Sequence, residues 1–320
     1  MRHRNVLPPS AAGRLDRALA DALGLGRAAV KRAFAAGAVR IAGRRARASD
    51  PAEPGAPVEV EIEVGLPRAP EPDPSLALRV LAESPRWLVA DKPAGVATHP
   101  LAPGETGTLA NAVAARFPEC GRASVDPREG GAVHRLDRET SGCVLFARDA
   151  AAWEALRAQF AARTVEKVYL AVVRGRLAAG GVCSVPLAQR GGRSVPVPDE
   201  LAADRQMGKG AGPPRPAETH YEPVERLPEH TLVEVRIVTG VMHQIRAHLA
   251  FLGHPVAGDV LYGGEAARLP ALERQALHAA RLGFDPPEGG PRARVASPLP
   301  PDLAALLARL REVTASSPPR

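Results

Sequence analysis

The residues whose types and spacing best fit chemistry lie in GAVHRLDRETSGCVLFAR, the stretch from Gly131 to Arg148. Asp137 stands between Arg135 and Arg138 in a polar loop, and the apolar run from Cys143 to Ala147 reads as a buried strand. A loop carboxylate kept ionised by arginine beside a rigid strand is suited to stabilise positive charge or to attack carbon. Taken alone, an aspartate between arginines is more often a structural ion pair.

Other residues carry less signal by themselves. Tyr169 falls in the strand-like run Val165 to Val173, where a core position is the plainer reading, and Arg246 falls in a helix-like run, where a surface position is. His99, His134, His243 and His254 are at no metal-ligand spacing, and no metal site is expected. Gly107 and Gly142 are expected at turns rather than at a phosphate cradle. Neither a Walker motif nor a dinucleotide fingerprint occurs, so no nucleotide or other cofactor is expected.

The string HRLDRETSG resembles the HRLD-x-x-TSG signature of the RluA-type RNA pseudouridine synthases. More strings of that family follow in order. DKPAGVATHP (91–100) resembles its DKPAG…HP segment, GTLANA (107–112) its helix start, and EKVYL (166–170) its K-x-Y-L strand. TGVMHQIR (239–246), GHP (253–255) and GDVLYG (258–263) resemble its TG-x-x-HQIR…GHP…GD-x-LYG block, so the likeness covers roughly residues 80 to 310. It implies isomerisation of uridine in RNA, a redox-neutral reaction in which the N1–C1′ bond breaks and the base rejoins through C5. It also implies roles. Asp137 acts at C1′ as nucleophile or as stabiliser of positive charge, Arg246 pairs with it, and Tyr169 stacks on the base or relays the C5 proton. Arg135 fills the stack vacated by the flipped nucleotide or holds the flipped geometry, since the nucleotide must leave its stack to be reached, and Ile245 walls the uracil or simply fills the core. Val241 and Met242 depart from the Arg/Lys-Thr that the family commonly carries there.

Composition is that of a globular chain of 320 residues, with 45% hydrophobic and 24% charged residues, long enough for two domains. Three widely spaced cysteines form no disulfide framework, and no apolar run approaches a membrane span, so a cytoplasmic protein is expected. The net charge of +7 is uneven: through Ser49 eleven Lys/Arg stand against Asp16 and Asp21, leaving the rest of the chain slightly acidic. A basic segment of this kind points to a polyanion, most simply RNA.

That segment has its own pattern. Residues 13–36 read as two short helices broken at Gly24 and Gly26, with a C-terminal cap at Gly37. Arg27 and Lys31 share a face, with Arg32 beside them. Val39 to Gly43 reads as a strand entering a turn, and Val58 to Val64 alternates as a half-buried strand. Two basic helices and a hairpin resemble the S4 RNA-binding domain, which implies RNA contacts from Arg27, Lys31 and Arg32.

Three segments are therefore expected: an S4-like RNA-binding domain over 1–65, a Pro-rich linker over 66–79, and a catalytic domain over 80–320. Helices are predicted over 108–117, 150–162, 243–252 and 303–310, and strands over 87–90, 165–173 and 231–238. Ala188 to Pro216, rich in Gly, Pro, Arg and Ser, reads as a mobile RNA-contacting loop or a disordered surface insertion. The expected fold class is α+β: a mixed, mainly antiparallel pseudouridine-synthase catalytic core preceded by a small S4-like α/β RNA-binding domain. The expected partner is RNA, ribosomal (23S) before transfer RNA, and the expected state is a monomer without membrane association. An RNA-binding or ribosome-assembly factor with little catalysis is the alternative from another class, and a uridine-hydrolysing glycosidase lacks an evident second carboxylate.

Overall fold

The computed structural model describes residues 2–7, 13–23, 27–35, 37–41, 43–61, 68–102, 104–198, 212–269 and 272–315. The chain divides into two compact units, Met1–Leu66 and Pro67–Arg320.

In the first unit the order is β1 (Arg2–Val6), α1 (Leu15–Leu23), α2 (Arg27–Ala35), β2 (Val39–Ile41), β3 (Arg44–Arg45) and β4 (Pro57–Glu61). Its sheet runs β1-β4-β2-β3, all antiparallel. Leu15, Leu19, Val30, Val39 and Val58 are buried together, so the helical stripes and the strand alternation meet in one small core. The helix α2 ends as expected at Gly37, whose φ of 70° is the left-handed conformation that lets Ala38 N–H turn back to Ala33 C=O. Strand β1 has no sequence signal, since Arg2-His3-Arg4-Asn5 shows no apolar alternation. It exists by pairing with β4, in a register that sets Arg2 opposite Glu61 and Arg4 opposite Glu59. Gly24 and Gly26, and the end of the Val58–Val64 run, lie outside the described residues.

The second unit begins with β5 (Val80–Glu83), β6 (Trp87–Lys92), α3 (Leu109–Arg116), β7 (Ser141–Ala147), α4 (Ala150–Ala161) and β8 (Glu166–Arg174). It continues with β9 (Gly181–Cys183), β10 (Leu187–Arg190), β11 (Arg193–Pro196), β12 (Thr219–Arg226) and β13 (His230–Ile237). The helices α5 (Gln244–Phe251) and α6 (Val260–Gly263), the strands β14 (Leu277–Phe284) and β15 (Ala293–Ala296), and the helix α7 (Pro301–Ala315) complete it. Nine strands form one sheet in the order β5-β6-β7-β14-β8-β13-β12-β9, with β15 on β14. Among the described residues, only the β7–β14 pair is parallel. The class is α+β, mixed and mainly antiparallel.

This sheet is covered on both faces, which explains why β7 reads as continuously apolar instead of alternating. Val144 and Phe146 join one core with Leu88, Leu109 and Leu303, while Cys143, Leu145 and Ala147 join another with Val89, Leu156 and Phe284. Gly142 was expected at a turn; it lies inside β7. Its φ is 115°, and a Cβ there would run into the backbone of Ala279 on the parallel neighbour. The glycine is needed for close strand approach rather than for reversal.

Two expected irregular stretches are ordered where they are described. Within 66–79, the Asp73 N–H donates to Asn111 C=O, the Asn111 amide donates to Glu71 C=O, and Pro70 is buried, so this stretch lies along α3. Within 188–216, β10 and β11 form a hairpin in which Leu187, Ala188, Ser194 and Val197 are buried. A surface insertion does not bury such residues, and that expectation is corrected for the hairpin. Residues 199–211 lie outside the described ones.

Candidate active site

Asp137 sits in the loop that enters β7, and three contacts hold its neighbours. Thr98 Oγ1 accepts from Leu136 N–H at 3.1 Å and donates to Leu136 C=O at 3.2 Å. Lys92 Nζ donates to the C=O of Arg138 at 2.8 Å, and also to Val96 C=O and Pro93 C=O. Thr140 N–H closes the turn onto Asp137 C=O at 3.1 Å. The DKPAGVATHP string thus clamps the HRLD string on both sides of its aspartate. Lys92 is fully buried, and burial pulls its ammonium down to about 7. Three carbonyl acceptors nevertheless match the three hydrogens of the protonated group, since a neutral amine has two.

The second part of the site comes from α5. Gln244, 3% exposed, accepts from Thr239 Oγ1 and Val241 N–H and donates to Glu218 C=O and Thr219 Oγ1. Every polar atom of its amide is used, so the start of the helix is fixed in register. Two residues on, Arg246 is buried and points at two carboxylates. Its Nε and Nη2 take Asp259 at 2.7 and 2.9 Å, and its Nη1 takes Asp137 Oδ2 at 3.1 Å. Burial works against the Arg246 charge, but the bonds to Asp259 and Asp137 outweigh it and hold the group above its ordinary value. One guanidinium facing two carboxylates leaves the cluster net negative. Asp137 is its accessible end, with its side chain 24% exposed against 1% for Asp259.

His243 precedes α5 with φ of 54°, an uncommon conformation for a residue with a Cβ. Its Nε2 lies 3.8 Å from Asp137 Oδ2, and its Nδ1 lies 3.1 Å from Tyr262 Oη. Tyr262 Oη also accepts from Ser194 N–H on β11 at 2.8 Å. With that acceptor position filled, the phenol is free to donate to Nδ1, which leaves the imidazole proton on Nε2, facing Asp137. Burial lowers the His243 pKa and Asp137 opposes it, so the ring is neutral at pH 7.

A cavity of about 790 Å³ opens on these groups. Asp137, Tyr169, Ile245 and Arg246 all line it, and Arg135 stands exposed at its edge. Tyr169 comes from β8, opposite the irregularity between His278 and Arg281 of β14. Burial first, and then the charge of Asp137, push its phenol well above the ordinary value, so it holds its proton. Ile245 is both cavity wall and core residue. Val241 is buried and Met242 is exposed and lines the cavity, so neither departure from the family string touches the Asp137–Arg246 pair.

Not every expected partner is met. Arg135 and Arg138, the sequence neighbours of Asp137, form no ion pair with it; Arg138 turns away to Gly95 C=O. The pairing arginine is Arg246, 109 residues away. Sequence reasoning missed Asp259 and Tyr262, although both lie in the quoted GDVLYG string. Their signal was an aspartate placed to cap a short helix: the Asp259 side chain accepts from Tyr262 N–H. Of Arg27, Lys31 and Arg32, all on α2 of the first unit, only the Lys31 side chain is described, and it is exposed. Among the described residues no group of three or more His, Cys, Asp or Glu is placed to hold a metal ion.

With this geometry, the likeness to known proteins becomes specific. The family described as RNA pseudouridylate synthase matches residues 86–251, more than half of the chain. The chain belongs to that family. Its similarity to a ribosomal large subunit pseudouridine synthase D of Xanthomonas campestris pv. campestris is 39% identity, covering 97% of this chain and 93% of that one. An uncharacterized RNA pseudouridine synthase of Chloroflexus aurantiacus is also 39% identical, over 96% of this chain and 93% of its own. Among solved structures, human RNA pseudouridylate synthase domain containing 1 matches with a TM-score of 0.57 and 26% identity, over 78% of this chain and 99% of that one. The protein is an RNA pseudouridine synthase, an isomerase acting on RNA. For the synthase, the matched span includes Asp137, Tyr169 and Arg246, while Asp259 and Tyr262 lie just beyond it. Among the described residues no helix is long and apolar enough to cross a membrane.

Proposed function

We propose that this synthase isomerises specific uridines of 23S ribosomal RNA, and that Asp137 is the residue the reaction cannot do without. The names of its relatives, ribosomal large subunit pseudouridine synthase D over nearly their whole length, support the RNA class. One observation carries the aspartate: Asp137 is the exposed end of a buried, net-negative cluster opening into a cavity that also holds Tyr169.

A flipped uridine enters with C1′ towards Asp137. As the N1–C1′ bond lengthens, C1′ becomes cationic, and the carboxylate meets that charge where water is scarce. Arg246 orients the carboxylate through Nη1 while Asp259 prevents it from neutralising the pair. The freed uracil turns between Ile245 and the Tyr169 ring, C5 bonds to C1′, and the C5 proton is then released as N1 takes one up, so the product is an isomer of the uridine. Because Tyr169 holds its own proton, stacking is the better supported of its roles. Arg135, exposed at the edge, supports the flipped strand. The basic first unit, with Arg27, Lys31 and Arg32 on α2, acts as an S4-like anchor for RNA. The enzyme works in the cytoplasm as a monomer, without a cofactor.

Pseudouridine mapping in total RNA from a strain lacking the gene tests the target. Wild type restores the missing sites and Asp137→Asn does not, while the variant still binds the RNA. Sites missing from transfer RNA instead would move the substrate to that class. Full restoration by Asp137→Asn would remove the residue from the mechanism.

A further inference from the structure

Apart from the Asp137–Arg246 pair, the charged side chains that line the cavity are of one sign. Lys167, Arg157, Arg163 and Arg215 line it beside Phe160, and Asp137 is the one carboxylate among all the residues lining the cavity. Among the described residues, none of these four cations reaches a carboxylate within ion-pair distance.

Lys167 is the unusual member. It is 8% exposed, and its Nζ donates only to the carbonyls of Val238 and Thr239, at 3.3 and 3.0 Å. An ammonium buried to that degree normally faces an acid. Here burial, and then Arg163, depress it to about 8, because the nearest charges only repel it. Arg163 adds a second oddity. It follows the end of α4 with φ of 61°, where a glycine would avoid about 1 kcal/mol or more of strain. The chain holds a guanidinium there at that cost. Phe160 stacks on His134 and has Lys167 Nζ 5.9 Å from its ring centroid, so the ring packs the cationic cluster in place. Cations gathered in a groove are how proteins track the backbone of single-stranded nucleic acid.

Resting on the reading that Asp137 meets the uridine, we propose that this cationic part of the cavity is an anion subsite, in which Lys167 and Arg163, with Arg157 and Arg215 also in the lining, take a phosphodiester of the RNA strand next to that uridine. The bound phosphate supplies the counter-charge that no described residue supplies. The subsite therefore acts on binding, not on bond breaking.

The test uses the full-length enzyme and total RNA from a strain lacking the gene, which contains the target whichever RNA it is. Arg163→Asn is the main variant, because asparagine tolerates the left-handed backbone. It should raise the half-saturating enzyme concentration roughly tenfold at low salt and reduce the slope of log affinity against log salt by about 0.7. The single-turnover rate at saturation should be unchanged. Arg163→Lys should recover most of the affinity, and Lys167→Gln should move both quantities in the same direction as Arg163→Asn. Unchanged half-saturation and salt slope in Arg163→Asn would overturn the subsite. So would an effect confined to the saturating rate, or one that removes only inhibition by inorganic phosphate.

Discussion

Arg246 gives two of its donors to Asp259, at 2.7 and 2.9 Å, and keeps the third for Asp137. The two-point grip fixes the plane of the guanidinium, so the position of the single bond to Asp137 is set by a residue outside the cavity lining. Asp259 is itself fixed by capping α6. A capping aspartate thereby controls where the Asp137 carboxylate stands.

Asp259→Ala should for this reason damage both stability and chemistry. It leaves a buried guanidinium short of one carboxylate, which typically costs about 3–5 kcal/mol. Urea unfolding and single-turnover kinetics would show a large loss in each, with RNA affinity little changed. Normal turnover in a folded Asp259→Ala enzyme would mean that Arg246 is oriented by something else.

Tyr262→Phe removes one oxygen and disturbs two partners, His243 Nδ1 and Ser194 N–H. The ring stays between the guanidinium groups of Arg193 and Arg246. Loss of the hydroxyl should cost roughly 1–3 kcal/mol in stability, because a partly buried donor loses its acceptor. Turnover should fall more than affinity, since the imidazole facing Asp137 is no longer held in one tautomer. Equal turnover with and without the hydroxyl would leave His243 without a positioning role.

Acid should destabilise the enzyme earlier than carboxylate titration alone would. His134 accepts from Leu145 N–H and stacks on Phe160; burial, then Lys167 and Arg157, depress it to about 3. Between its ordinary value near 6.5 and that folded value, the unfolded chain binds a proton that the native state refuses. The stabilisation is full above about pH 6.5 and is lost as pH falls, amounting to roughly 2 kcal/mol by pH 5. His134→Phe keeps a stacked ring and should flatten the fall in urea-unfolding stability between pH 8 and 5. The same slope in wild type and variant would refute this assignment.

Deleting residues 1–66 should weaken RNA binding and lower its salt dependence, since the stretch through Ser49 in that unit sets eleven Lys/Arg against only Asp16 and Asp21. Binding measured from low to moderate salt would decide it. An unchanged slope would show that the basic segment faces away from the RNA.

Local pattern made much of this protein legible. Glycine, apolar periodicity and turn chemistry marked α1, α2, α4, β8, β13 and α5, and the short motifs pointed to Asp137, Tyr169 and Arg246, which line one cavity. Signals of that kind sit within a few residues of one another. The β10–β11 hairpin was misread because its order comes from Ser194, whose partners Tyr262 and Met242 are 68 and 48 residues away. Strand β1 went unseen because only β4 makes it a strand.

The sequence by itself determined the family and the elements that carry the candidate site. Tertiary structure alone decided which arginine meets Asp137, that Asp259 and Tyr262 stand behind the pair, and that Lys167 is buried among cations. The reason is physical. A side chain's charge and hydrogen-bonding capacity are written in its type, but its partner and its exposure to water depend on what the folded chain brings beside it.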